Sequence, residues 1–242
     1  MEHDNPADRL LAIILEGKKH GVGERCRDVW QKILNTNDES TLLLRLGLTS
    51  NLPRQIVNAL QEASPKRGPT WNHWYPQIVN AFIVQRLNET WQTFIGTIDK
   101  HSIDSLSTAA ELLEHRSPKS VVEPAELDDL KERLTDILKE VRDSTDIDVD
   151  LKKKICKAIL EIINAIDQYF ITGIDGVSEA LERAAGTVNR NADTRQFVKK
   201  DGLGKKLMGV LKLVNEKVDS AENIKEIGEN VIGALEWFDP TL

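Results

Sequence analysis

The chain has 242 residues, 40% hydrophobic and 29% charged, a composition that is typical of a globular protein and excludes a disordered one. Its two cysteines, Cys26 and Cys156, are too few for a disulfide-rich secreted domain or for a zinc site made of cysteines alone. Residues 1–120 carry 14 basic and 14 acidic side chains, so the net charge of −7 belongs to residues 121–242. This acidic half disfavours a general nucleic-acid-binding protein, which needs a local excess of lysine and arginine.

Apolar residues at helical spacing predict six helices in the first half of the chain. The first begins at Pro6, behind Asn5 as the N-cap. Gly47 is predicted to end a short third helix, and the fifth is predicted to be long and buried. The six predicted helices cover residues 6–16, 24–34, 39–46, 52–63, 76–98 and 103–114.

The second half is more regular. Helices are predicted over residues 124–141, 149–169 and 177–188, the first two starting at Pro124 and behind Asp148. Gly173 and Gly176 predict a tight connection, and residues 189–204 are predicted to be loop. Asp219 begins a capping-box pattern, which predicts that residues 203–238 form two helices in a hairpin.

These elements predict an all-α fold, a multi-helix bundle of roughly ten helices in two helical subdomains. The break at residues 116–120 (RSPKS) places the boundary between an aromatic-rich, charge-neutral subdomain, residues 1–119, and an acidic bundle, residues 120–242. The acidic start of the chain lacks the basic region of a signal peptide, and the longest uncharged stretch, residues 68–85, contains several polar residues. A cytoplasmic protein without a membrane span is therefore expected.

Two stretches of the chain carry a family resemblance. The first comprises residues 27–34 (RDVWQKIL), 42–46 (LLLRL) and 52–54 (LPR). The second comprises residues 165–173 (AIDQYFITG), 176–177 (GV) and 180–182 (ALE). Together they resemble a widespread group of uncharacterised bacterial all-helical proteins with no assigned activity. The resemblance implies an all-α, bacterial, cytosolic protein, and its motifs are packing residues that bring no catalytic residue with them.

The densest cluster of aromatic and basic residues lies in the proline-bounded segment 66–76 (KRGPTWNHWYP). Tryptophan, tyrosine and arginine are enriched among the residues that dominate binding energy at protein interfaces. The candidate partner-binding residues are Lys66, Arg67, Trp71, Trp74 and Tyr75. The alternative is that Trp71 and Trp74 fold back to seal the core, as aromatic residues before a buried helix do.

Residues 40–67 also fit a helix-turn-helix, with Gly47 in the turn and the helix from Leu52 as the reading helix. Its basic contacts would be Arg54, Lys66 and Arg67. Three basic residues are few for anchoring to phosphates, so nucleic-acid binding is a secondary hypothesis, weighed against an ordinary pair of helices.

Other patterns favour structural roles. The acidic run at residues 146–150 lacks the glycine and glutamate of a calcium loop and is predicted to be a helix start, while residues 201–206 lack the spacing of a phosphate-binding loop. The five histidines show no metal-binding i, i+4 spacing, and both cysteines are expected to be inert. No cofactor or metal is expected.

The leading functional hypothesis is a non-catalytic protein-interaction or scaffold module with a protein partner, one component of a larger bacterial system. The alternatives are an enzyme or effector whose site is assembled from distant helices, and the nucleic-acid binder described above. Clustering of ionisable side chains in a concave pocket would favour the enzyme, and a flat aromatic patch would favour the module.

Overall fold

The computed structural model describes residues 4–65, 70–116, 120–190, 192–200 and 202–222. Within these ranges there are eleven helices and no strand, which confirms the predicted all-α bundle of roughly ten helices. The chain divides into two compact units, Met1–Lys119 (unit 1) and Ser120–Leu242 (unit 2). In the described residues no helix combines the length and the apolar character that crossing a membrane requires.

Unit 1 contains the first six helices. The predicted start of the first helix is confirmed, since Asn5 caps it by accepting hydrogen bonds from the backbone N–H groups of Ala7 and Asp8. The six helices are α1 (Pro6–Lys18), α2 (Cys26–Ile33), α3 (Glu39–Ala63), α4 (Trp74–Val84), α5 (Gln92–Ile95) and α6 (Lys100–Arg116).

Four aromatic rings from three segments of the chain form a cluster in unit 1. The ring centroid of Trp30 in α2 lies 4.8 Å from that of Phe94 and 5.2 Å from that of Trp91. Phe82 of α4 lies 4.9 Å from Phe94, edge to face. Each such pair adds about 0.5–1.5 kcal/mol beyond the area it buries, so this cluster fixes α2, α4 and α5 around one point.

Both buried indoles in this cluster satisfy their N–H groups. Trp30 Nε1 donates to Gln85 Oε1 at 2.7 Å, and Trp91 Nε1 donates to the carbonyl oxygen of Gly17 at 2.8 Å. A Cβ atom at Gly17 would lie only 2.8 Å from Cζ2 of Trp91, so the absence of a side chain there lets the indole reach the end of α1.

The predicted turn at Gly47 is wrong, because α3 continues from Glu39 through Gly47 and Pro53 to Ala63. Gly47 lies on the exposed side of the helix, where a glycine costs about 1 kcal/mol relative to alanine. Burying one leucine or isoleucine contributes about 1.5–3 kcal/mol, so an unbroken buried stripe outweighs that cost. The stripe consists of Leu42, Arg45, Leu46, Thr49, Leu52, Pro53, Ile56 and Leu60.

The single helix predicted over residues 76–98 is also wrong: α4 ends at Val84 and α5 begins at Gln92. The backbone of the intervening segment pairs instead with the residues that lead into α2. Cys26 N donates to the carbonyl of Glu89 at 2.8 Å, and Trp91 N donates to that of Glu24 at 2.7 Å. The spacing of apolar residues, from which the helix was predicted, carries no information about these long-range hydrogen bonds.

Unit 2 contains α7 (Pro124–Asp143), α8 (Val149–Asp167), α9 (Tyr169–Arg190), α10 (Ala192–Lys200) and α11 (Gly202–Glu222). The predicted starts of α7 at Pro124 and of α8 behind its N-cap Asp148 are confirmed. The break predicted near Gly173 is present as a kink in α9, where glycine adopts φ 65° and ψ −162°. That backbone conformation is strained for any residue with a side chain.

Two predictions for unit 2 are wrong. The described part of residues 189–204 is helical rather than a loop, because α9 reaches Arg190, residues 192–200 form α10 and α11 begins at Gly202. Phe197 and Val198 of α10 join the buried core, which supports the helix in spite of its polar flanks. The predicted helix start at Asp219 lies inside α11, and the second arm of the predicted hairpin lies outside the described residues.

Candidate functional site

The predicted partner-binding residues differ in their exposure. Trp74, the first residue of α4, is 0% exposed, so its assignment to a binding surface is corrected: it is a core side chain with no area left for a partner. Trp71 and Tyr75 are half-buried, and Tyr75 N donates to the carbonyl of Trp71 at 3.0 Å. Lys66 and Arg67 lie outside the described residues.

A polar cluster lies beside these aromatic residues, where the starts of α4 and α6 meet. His73 immediately precedes α4, Gln77 lies in its first turn, and Asp99 immediately precedes α6. The carboxylate Oδ2 of Asp99 accepts a hydrogen bond from Gln77 Nε2 at 2.9 Å and lies 3.2 Å from His73 Nε2. The fold therefore brings a histidine and a carboxylate into contact from two different helices.

The buried side of the cluster is fully hydrogen-bonded. Gln77 Oε1 accepts from Asp99 N at 2.9 Å and from Ser102 Oγ at 2.6 Å. Ser102 N donates to Asp99 Oδ1 at 2.7 Å, and the Ser102 residue is 0% exposed. Because Gln77, Asp99 and Ser102 are all hydrogen-bonded to one another, the network holds these residues in one geometry.

The electrostatics of the cluster centre on Asp99. The Gln77 amide, followed by the backbone N–H of Ser102, holds the pKa of the Asp99 carboxyl well below its ordinary value, and His73 adds to the effect. Asp99 is therefore ionised at neutral pH, and it places a fixed negative charge beside the imidazole of His73.

A second histidine completes the exposed side. The ring of His101, in the first turn of α6, lies with its centroid 4.4 Å from that of His73, at an interplanar angle of 59°. Both histidines are exposed. We refer to Trp71, His73, Tyr75 and His101 as the candidate surface.

The chemistry available to this cluster is limited. Ser102 is buried and its hydroxyl donates to Gln77, so it is not placed as a nucleophile for His73 to activate. Within the described residues, no group of three or more His, Cys, Asp or Glu side chains is arranged to hold a metal ion. The cluster thus offers a fixed carboxylate, two exposed imidazole rings and the half-buried rings of Trp71 and Tyr75, an arrangement that suits recognition better than reaction.

Two open cavities lie elsewhere in the described residues. An open polar cavity of about 420 Å³ at the end of α2 is lined by Asp28, Gln31, Lys32, Asn35, Thr36 and Asn37. A second open cavity, of about 450 Å³ in unit 2, is lined by Asp146, Ile147, Asp148, Leu151, Asp193, Gln196 and Phe197. Asp148 Oδ1 accepts from the backbone N–H groups of Asp150 and Leu151, which confirms the helix start predicted in place of a calcium loop.

The basic residues of the nucleic-acid hypothesis are not assembled into a reading site in the part of the chain described. Arg54 is exposed on α3, where its Nε donates to Asn51 Oδ1 at 3.0 Å. Because α3 is one continuous helix, the turn that would present a second, reading helix does not form.

Sequence reasoning missed the association of His73, Asp99 and His101. These residues are separated by 26 and 2 positions and lie at the starts of two helices, so no spacing rule within one helix detects them. The one sequence signal available was the aspartate at position 99, four residues before the helix predicted from residue 103, since aspartate is favoured as an N-cap.

Comparison of the chain with protein-family models, with curated proteins and with solved structures found no match.

Proposed function

We propose that this chain is a non-catalytic protein-interaction module whose candidate surface contacts a protein partner. The observation that carries the proposal is a pair of exposed imidazole rings, one of them against the fixed carboxylate of Asp99, close in the chain to the half-buried Trp71 and Tyr75. Tryptophan and tyrosine supply large contact areas at low cost in conformational entropy, and they are enriched among residues that dominate interface energies.

Rigidity supports this proposal. Binding costs free energy for every side chain that must be ordered at the interface, about 0.5–1.5 kcal/mol for a flexible one. The hydrogen bonds among Gln77, Asp99 and Ser102 order the base of the candidate surface before any partner arrives. Recognition is then expected through shape and through hydrogen bonds to His73 and His101.

An enzyme receives less support from the same residues. Ionisable groups do converge at His73 and Asp99, but they lie at the exposed surface and the cavities described above are lined by other residues. Catalysis needs a site that excludes water around the reacting atoms. The proposal includes the cytoplasm of a bacterial cell as the location of the protein, since the family resemblance implies it.

The test is capture of the partner by the tagged full-length chain from its native host, with proteins identified by mass spectrometry. His101→Ala is expected to lose a stoichiometric partner that the wild type retains. His115→Ala is the matched control, because His115 is also exposed on α6 but lies near its other end. Equal retention by both variants would contradict the proposed surface, and a chain that captures nothing but turns over a substrate would contradict the proposed function.

A further inference from the structure

Helix α3 presents apolar side chains on its outer face. Leu43 and Leu44 are 53% and 55% exposed, opposite the buried stripe that anchors the helix in unit 1. Isolated exposed leucines are ordinary, but these two are adjacent to a position that has no side chain at all.

That position is Gly47, three and four residues after the leucines and therefore on the same surface of the helix. A Cβ atom placed at Gly47 meets nothing within 4 Å, so the surface there is open. A helix that packs across this point can approach the α3 backbone closely, with a leucine over the glycine, as small residues allow at helix crossings.

Charges of opposite sign flank this part of α3. Asp38 and Glu39 are exposed at the start of α3, and Arg54 is exposed four turns later. Glu39 is also paired with Arg27, so the excess negative charge at the first end comes from Asp38. The exposed residues between the two ends are uncharged: Ser40, Leu43, Leu44, Gly47 and Ser50, with Asn51 partly exposed.

The charge pattern of α3 is self-complementary when two copies of the helix lie antiparallel. If a second α3 lies antiparallel on the first, Arg54 of each copy faces the acidic start of the other, and the midpoint between residues 38 and 54 lies next to Gly47. A parallel arrangement would instead place like charges together. A twofold interface requires this kind of self-complementary patch.

We propose that α3 is a self-association surface on which a second copy of this chain docks antiparallel through Leu43, Leu44 and Gly47. The patch comprises only a few side chains of each copy, which makes the dimer small, weak and reversible. Helix α3 contributes no residue to the candidate surface, so self-association through α3 does not depend on the proposed partner.

The experiment is sedimentation equilibrium of the full-length chain over a concentration series up to about 1 mM, the dissociation constant of a very weak complex. The wild type is expected to dimerise at the upper end of the series. Replacing both leucines by glutamine is expected to weaken dimerisation at least about tenfold. Val149→Gln in unit 2, which removes a similarly exposed apolar side chain, is the control and is expected to change nothing.

Reversing single charges on α3 tests whether the two copies of the helix lie antiparallel. Arg54→Glu and Glu39→Lys each place like charges at both ends of the dimer, so each variant alone is expected to associate at least about tenfold more weakly. An equimolar mixture of the two variants restores opposite charges at both ends and is expected to dimerise like the wild type. Circular dichroism of each variant verifies that α3 still forms, and the leucine double variant provides an independent reading if either charge variant does not fold.

Three outcomes would overturn the inference. One is a wild-type chain that stays monomeric at about 1 mM. Another is a dimer that the leucine double variant leaves intact, since it would use a different face. The third is a mixture of the two charge variants that stays monomeric while each is folded, since antiparallel pairing requires the mixture to associate.

Discussion

Gln77 and Asp99 bind each other twice, across the starts of two helices. Gln77 Nε2 donates to the Asp99 carboxylate at 2.9 Å, while Asp99 N donates to Gln77 Oε1 at the same distance. A third bond, from Ser102 Oγ to Gln77 Oε1, makes this glutamine the link that joins α4 to α6. The geometry of the candidate surface therefore depends on a residue that no partner needs to touch.

Replacing Gln77 by alanine is expected to lower the free energy of unfolding of unit 1 by about 1–3 kcal/mol, because the buried Ser102 hydroxyl loses its acceptor. Urea denaturation followed by circular dichroism measures the change. Gln55→Ala, at an exposed position of α3, is the control and is expected to change stability by less than about 0.5 kcal/mol. Equal urea midpoints for Gln77→Ala and Gln55→Ala would show that the hydrogen bonds of Gln77 do not stabilise unit 1.

The low pKa of Asp99 predicts a specific dependence on pH. A carboxyl group whose pKa is depressed by folding stabilises the protein above the pKa of the unfolded chain, about 3.9, and this stabilisation is lost as the pH falls through the lower, folded value. Asp99→Asn keeps a capping side chain but removes the charge. Wild type and variant are therefore expected to differ most in stability above about pH 4 and to converge in stronger acid.

Urea midpoints of the wild type and Asp99→Asn at several pH values between neutrality and strong acid measure this difference. Asp104→Asn, at an exposed position of the same helix, controls for the loss of one negative charge from α6. A difference between wild type and Asp99→Asn that stays constant across the series would contradict the proposed role of the carboxylate.

Trp74→Ala is expected to destabilise unit 1 by about 3–5 kcal/mol, the usual cost of removing a fully buried tryptophan. Thermal unfolding measures the loss. Tyr75→Ala, next in the chain but half-buried, is expected to cost clearly less while it reduces partner capture. If instead Trp74→Ala folds as stably as the wild type and loses the partner, Trp74 belongs to the interface.

Two glycine substitutions are expected to have opposite effects. Gly47→Ala should raise the free energy of unfolding by about 0.5–1 kcal/mol, since the added methyl group meets nothing and alanine favours a helix. Gly204→Ala should be destabilising, because its Cβ would lie 2.2 Å from the carbonyl oxygen of Phe197. Denaturation at low protein concentration, where self-association is negligible, measures both changes, and a stabilised Gly204→Ala variant would contradict this packing.

Local signals in the sequence predicted the helical content and several helix starts well. Asn5, Pro124 and Asp148 act through atoms within a few positions of themselves, so their effect can be recognised without the fold. The helix end predicted at Gly47 is wrong because a glycine ends a helix only where the chain turns. The buried stripe of α3 keeps the helix continuous there.

The candidate site could be predicted only in part. Composition identified Trp71 and Tyr75, and it left open whether Trp74 binds a partner or seals the core; the complete burial of Trp74 agrees with the second alternative. The contact between His73 and Asp99 depends on where α4 and α6 start relative to each other. The end of α4 at Val84 was also predicted wrongly, because the pairing of Cys26 with Glu89 is long-range.

The hydrogen bond from Trp91 to the carbonyl of Gly17 couples two positions that are far apart in the chain. A side chain at position 17 would displace the indole, and a smaller residue at position 91 would leave the carbonyl and the adjoining space unfilled. Natural variants of this chain are therefore expected to keep or change these two residues together. The pair offers a fingerprint for recognising distant relatives even where overall sequence similarity has faded.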